Sequence, residues 1–229
     1  MGVRSQESGV GSQLEASRLP TPDSRPRRRQ VPDPWLKPGI FIGALFPLVW
    51  IAWRLVHGQL GADPIKETEN ELGLSALIFI IASIACTPAR RLWDWTWPIR
   101  VRRELGLFAF FYAAIHFASY FVDQSFDGSA IVADILKRPF ITVGFTALVL
   151  LLPLAVTSTK GWVKRLGYVR WQQVHWLIYP AGALAAVHFV WRVKRDVSQP
   201  LAYALIVAVL LAIRLMWWLR KRYARGEAL

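Results

Sequence analysis

The chain has 229 residues, 54% of them hydrophobic and 12 of them tryptophan, with a formal net charge of +13. A soluble protein this basic points to nucleic acid, but here the apolar residues gather into six blocks with the cations between them. That is the patterning of a multi-spanning membrane protein under the positive-inside rule, and it leaves a nucleic-acid partner nothing to explain.

The first 34 residues are rich in Ser, Pro, Gly and Arg without an apolar period, and read as a disordered tail. The organisation expected is therefore a cytoplasmic tail over 1–34 and a six-span domain over 35–229. The cluster Arg25, Arg27, Arg28, Arg29 is followed by a proline-rich spacer and a full-length apolar block. This is not a signal-peptide pattern, and it should hold the N-terminus in the cytoplasm.

The first span runs from about Ile40 to Val56, with Trp35, Trp50 and Trp53 as interfacial anchors and Arg54 and His57 at its far end. An acidic loop with Asp63, Glu67, Glu69 and Glu71 leads to a second span, about Leu72 to Thr87. It contains the single cysteine, Cys86, whose apolar setting suits a small hydrophobic residue. One cysteine excludes an intramolecular disulfide and a cysteine-held iron–sulfur cluster. A basic loop (Arg90, Arg91, Arg100, Arg102, Arg103) follows, with Trp93, Trp95 and Trp97 suited to the headgroup level. The third span is about Leu105 to Val122 and contains His116; Asp123, Asp127 and Asp134 lie in the loop beyond.

A fourth span, about Phe140 to Val156, leads to Lys160, Lys164, Arg165 and Arg170. The fifth, Trp171 to Trp191, carries His175 near one end and His188 near the other, and Arg192, Lys194 and Arg195 follow it. The sixth, about Leu201 to Leu219, ends in Arg220, Lys221, Arg222 and Arg225. Arg214, near its cytoplasmic end, should snorkel. Six crossings put both termini on the cytoplasmic side of the inner membrane. The fold expected is an all-α, six-helix integral membrane bundle with a disordered N-terminal tail.

Imidazole inside a membrane span marks a ligand, a proton path or an interhelical hydrogen bond. His175 and His188 stand about 19.5 Å apart along a helix axis, so they cannot share one compact site. His116 and His188 both fall near the outer ends of antiparallel spans, at matching depth. Two neutral imidazoles facing across a gap form an axial pair for a b-type haem iron. His175 has no histidine at its level on the third span, where Arg102, Arg103 and Glu104 stand. A haem with a non-histidine partner, a propionate or quinone contact, and an interhelical hydrogen bond all remain open for it.

Pro180 should kink the fifth span by leaving the Trp176 carbonyl without its donor. Gly182 and the alanines around it suit either close helix packing or room for a porphyrin. No H-E-x-x-H, G-x-S-x-G, Walker or dinucleotide motif is present. Few residues follow the last span, so electrons are expected from quinol or a separate reductase and are expected to leave to a separate acceptor. The competing class is a proton-coupled small transporter using the intramembrane histidines. Against it stands the expectation that no carboxylate lies within a span.

Several segments resemble the MsrQ (YedZ) family, haem-binding membrane subunits related to ferric-reductase-like transmembrane domains. They are T-P-A-R (Thr87 to Arg90), R-R-E-L-G-L (Arg102 to Leu107), the His116 segment, Thr157-Ser158, L-G-Y-V-R-W-Q-Q-V-H-W-L-I-Y (Leu166 to Tyr179), and His188. The resemblance implies six helices and heme b bound through His116, His175 and His188; with the depth match placing His116 and His188 on one iron, His175 is a possible second haem ligand. It also implies an associated flavin mononucleotide (FMN) and electrons drawn from the quinone pool or a flavin reductase. The acceptor it implies is MsrP, a periplasmic molybdopterin enzyme that repairs oxidised methionine in envelope proteins. In that arrangement the chain is an electron-transfer subunit rather than the catalytic one.

Overall fold

The computed structural model describes residues 34–194, 196–224 and 226; the expected tail, apart from Pro34, lies outside the described residues, as do Arg195 and Arg225. Among the described residues the chain forms nine helices and no strand: α1 (Leu36–Val56), α2 (Pro64–Trp93), α3 (Trp97–Asp123), α4 (Gly128–Lys137), α5 (Pro139–Val156), α6 (Lys160–Leu166), α7 (Tyr168–His175), α8 (Ile178–Arg192) and α9 (Ser198–Tyr223). Six segments are long and apolar enough to cross a membrane: α1, α2, α3, α5, α7 with α8 as one span, and α9. The all-α six-helix expectation holds, and the protein is a membrane protein.

Local chemistry sets the ends. Asp63 accepts a hydrogen bond from the Lys66 amide at 3.2 Å and Pro64 occupies the first helical position, so α2 begins there. This corrects the expected start near Leu72: Glu67, Glu69 and Glu71 form the first turns of a helix, not a loop. The loop expected around Asp127 and Asp134 likewise contains α4. Asp127 caps it through the amides of Ser129 (2.9 Å) and Ala130 (3.2 Å). The Ser129 hydroxyl, then these amides, hold the Asp127 carboxyl below the ordinary carboxylate range. The basic segment after α5 also coils, into α6 and α7, joined at Gly167 with φ +73°.

The fifth span is broken. Pro180 has no amide proton, and the Trp176 carbonyl instead accepts the Tyr179 amide at 3.1 Å. This tighter bond separates α7, ending at His175, from α8.

α2 is central, packing against α3 most extensively and also against α1, α8 and α9, while α5 packs chiefly on α8. Ile80, Ile84, Ala109, Leu151, Leu154, Ile178 and Ala181 form one buried cluster between these pairs. At Gly182 a Cβ atom would lie 3.1 Å from Ile80 and from Ile84. Of the two uses left open for the small residues of α8, this position serves close packing on α2. Cys86 is buried, as expected of a small hydrophobic residue, its thiol directed at the Ala82 carbonyl.

α1 lies at the margin, and polar groups hold it. Arg54 pairs with Glu67 at 2.5 Å and with Glu71, while Lys37 pairs with Glu104 of α3 at 3.3 Å. Between them the fully buried Tyr112 inserts its hydroxyl into the α1 ladder, donating to Ala44 O at 2.6 Å and accepting from Leu48 N at 3.3 Å. Pro47 sits in that same turn, where the ladder is already interrupted.

Candidate functional site

The imidazoles of His116 on α3 and His188 on α8 face one another with ring centres 6.2 Å apart and planes turned by 69°. Each is anchored to the antiparallel neighbour of its own helix. His116 Nδ1 is 2.8 Å from the Glu69 carbonyl on α2, and His188 Nδ1 is 2.7 Å from the Phe140 carbonyl on α5. A carbonyl only accepts, so in both rings Nδ1 carries the proton and donates. Each Nε2 is left as a lone pair, the form in which imidazole ligates a metal.

A glycine completes each seat. A Cβ on Gly73 would approach His116 to 3.1 Å, and one on Gly144 would approach His188 to 2.7 Å. Glu69 and Gly73, like Phe140 and Gly144, are four residues apart. Carbonyl and glycine therefore stand on one face of the helix, one turn apart. The α2–α3 and α5–α8 pairs thus repeat one device, in which a histidine of one helix lies in a carbonyl-and-glycine seat on the other. The sequence reading missed Gly73 and Gly144. The available signal was a glycine near the start of each expected span, Leu72 or Phe140, which is weak because glycine is common in membrane helices.

The seats fit an iron porphyrin. Two imidazoles bound on opposite sides of one metal, each through a bond of about 2 Å, have ring centres about 6 Å apart. Among the described residues, no group of three or more His, Cys, Asp or Glu gathers to hold a metal by protein ligands alone. Two nitrogens suffice where a macrocycle supplies the remaining four.

His175 stands apart from this pair. Its Nδ1 lies 3.0 Å from the Trp171 carbonyl within its own helix, and its ring packs on Trp171 at 4.0 Å. Trp171 is itself fixed, donating from Nε1 to the Thr157 carbonyl at 2.9 Å. His57 is exposed at the end of α1, stacked on Trp53 at 3.7 Å, and belongs to no site.

Two expectations about charge need correction. Carboxylates do lie within the spans: Glu69 on α2 and Glu104 on α3 are both 8% exposed, and Glu69 Oε1 and Glu104 Oε2 have no hydrogen-bond partner among the described residues. Helix α2 starts early enough to carry Glu69 inside, and α3 starts before Arg102. Arg214 does not snorkel. Its guanidinium lies 5.3 Å from the Tyr179 ring centre and donates to the Ile84 carbonyl at 3.4 Å. A cation-π contact and a backbone acceptor inside the bundle compete successfully with the interface.

Residues 71–186 match the family described as Ferric reductase like transmembrane component. The chain is 54% identical over 184 residues to the protein-methionine-sulfoxide reductase heme-binding subunit MsrQ of Rhodospirillum rubrum, covering 80% of this chain and 88% of that relative. It is 49% identical over 188 residues to the subunit of the same name from Deinococcus radiodurans, covering 82% and 93%. The corresponding protein of Herminiimonas arsenicoxydans is 48% identical over 190 residues, covering 82% and 87%. No solved structure matches.

Proposed function

Because the chain belongs to the MsrQ family, haem-binding subunits of protein-methionine-sulfoxide reductase within the ferric-reductase-like membrane proteins, we propose that it holds a b-type haem between His116 and His188 and passes electrons outward across the bilayer. The observation that carries this reading is the facing pair, 6.2 Å between ring centres, with each Nδ1 committed to a backbone carbonyl. The haem, when bound, supplies one-electron redox chemistry that no side chain here provides. The protein's part is to fix both imidazoles as neutral Nε2 donors, to hold them at one depth, and to surround them with apolar helices that exclude water. Burial and axial-ligand identity are the levers by which such a site sets its potential.

In the same reading His175 serves an inner position as ligand to a second haem. Its Nδ1–H is tied to the Trp171 carbonyl, which leaves Nε2 free as in the outer pair. The donor is the quinone pool or a flavin reductase, with FMN associated on the inner side. There the Lys160, Lys164, Arg165 and Arg170 segment offers cations to its phosphate. The acceptor is a periplasmic molybdopterin reductase of the MsrP type, which forms a heterodimer with this chain and repairs methionine sulfoxide in envelope proteins. Localisation follows: the inner membrane, with both termini cytoplasmic, as the cation distribution favours.

Absorption spectroscopy tests the reading. Purified protein should show a sharp Soret band and split α/β bands on reduction, and His116→Ala and His188→Ala should each abolish the outer haem signal while the protein still inserts. Unchanged reduced-minus-oxidised spectra in both variants defeat the ligand assignment. Glu69, buried beside the His116 seat, supports a second reading in which a histidine and a carboxylate relay protons in a small transporter. That reading predicts purified protein without a Soret band, together with proton flux in vesicles that Glu69→Gln removes.

A further inference from the structure

Arg192 ends α8, just beyond His188, and Lys194 follows it, at a place where positive-inside patterning predicts few cations. Arg192 follows His188 by four residues and so lies one turn, about 6 Å, beyond it on nearly the same helical face. Its half-buried guanidinium does not turn away along α8; it donates from Nη2 to Asn70 Oδ1 on α2. Asn70 adjoins Glu69, whose carbonyl seats His116. The cation therefore reaches from the helix of one histidine to the helix that seats the other, across the outer end of the gap between the rings.

A haem carries two carboxylates on one edge. Carboxylates are not left in hydrocarbon, so that edge turns toward the nearer aqueous face. Arginine's planar fork of five donors matches a carboxylate, and among the described residues Asn70 takes one of those donors. We propose that Arg192, steadied by Asn70, binds a propionate of the haem held between His116 and His188. This rests on the haem reading above. The rival account makes Arg192 merely a counter-charge to Glu69, which is buried nearby with Oε1 unpartnered among the described residues.

The two accounts separate when purified full-length protein is stripped of haem. It is then reconstituted with native haem or with haem dimethyl ester, whose propionates carry no charge. A cation beside the macrocycle favours the reduced state. Arg192→Gln with native haem should therefore shift the outer haem's reduction equilibrium toward oxidised by about tenfold, a midpoint drop of about 59 mV for one electron. Affinity supplies the contrast: the same substitution should weaken binding of native haem at least tenfold and leave binding of the ester unchanged. An unchanged midpoint with native haem overturns the proposal, and so does an equal loss of affinity for both haems, which assigns the charge to Glu69. If Arg192→Gln takes up no haem, Arg192→Lys carries the test. It should bind native haem at least tenfold more tightly than the ester, and equal affinity overturns the proposal. Wild-type protein that gives no split bands with native haem instead sinks the haem reading itself.

Discussion

In the proposed orientation, the outer half of the bundle, with the His116–His188 pair, and the inner half, with His175, hold histidine in different ways. In the outer half, His116 and His188 are each positioned by a carbonyl and a glycine of another helix, so the site exists only once α2 meets α3 and α5 meets α8. In the inner half, His175 is positioned by its own helix, through the Trp171 carbonyl and ring. The outer site is a product of helix packing, and the inner one of local backbone geometry. Damage should follow that division: a change at a helix–helix seat disturbs the outer pair, and a change within α7 disturbs His175 alone.

The largest expected effect tests the seats. Gly144→Ala places a methyl carbon 2.7 Å from His188 Nδ1, a separation that side-chain atoms do not tolerate. The ring must leave the Phe140 carbonyl or the helices must part, and haem titration should show the outer affinity falling by more than tenfold. Gly73→Ala, at 3.1 Å from His116, should lower it less. Equal and negligible losses in the two variants would erase the distinction between packing-built and locally built sites.

A smaller effect is expected at the margin of the bundle. Tyr112→Phe removes the hydroxyl that bridges Ala44 O and Leu48 N, at a cost of about 1–3 kcal/mol for a buried polar group left unpaired. Thermal unfolding in detergent should move down accordingly while the outer haem spectrum stays unchanged. Trp171→Phe deletes the Nε1 bond to the Thr157 carbonyl, worth about 1 kcal/mol net. It should alter only the spectral component that His175→Ala also alters. A change in the outer component would show the two halves to be coupled through α7 and α8.

The mildest prediction lies outside the spans. Asp127 titrates below the ordinary carboxylate range because its ionised form accepts bonds from Ser129 and Ala130. A carboxyl whose folded pKa is depressed stabilises the fold above its unfolded pKa, and that contribution is lost as pH falls through the folded value. Hydrogen exchange at the first-turn amides of α4 should therefore quicken as pH drops below about 4 relative to the base- and acid-catalysed background. Asp127→Asn should flatten that response while leaving the histidine pair untouched.

Much of the architecture was legible because hydropathy writes spans directly into a chain. A helix in lipid must satisfy its own backbone and present apolar side chains, so six blocks read as six crossings. The depth match of His116 and His188 was also legible, since depth follows from counting residues along antiparallel spans. The first turns of α2 were not, because Glu67, Glu69 and Glu71 look like loop residues until Arg54 on α1 is seen to neutralise two of them. Arg214 was misread for a similar reason: its acceptor and its aromatic partner belong to α2 and α8, far away in the chain.

Hydropathy and residue order alone thus determined a six-helix membrane protein with imidazoles at two depths, and its motifs carried the resemblance to the MsrQ family that the relatives then showed. Only the packed structure decided what each imidazole touches. Which carbonyl receives Nδ1, and which glycine yields to the ring, depends on the rotation of each helix about its axis. That rotation is set by side-chain interlocking between helices, and no residue count along a single helix contains it.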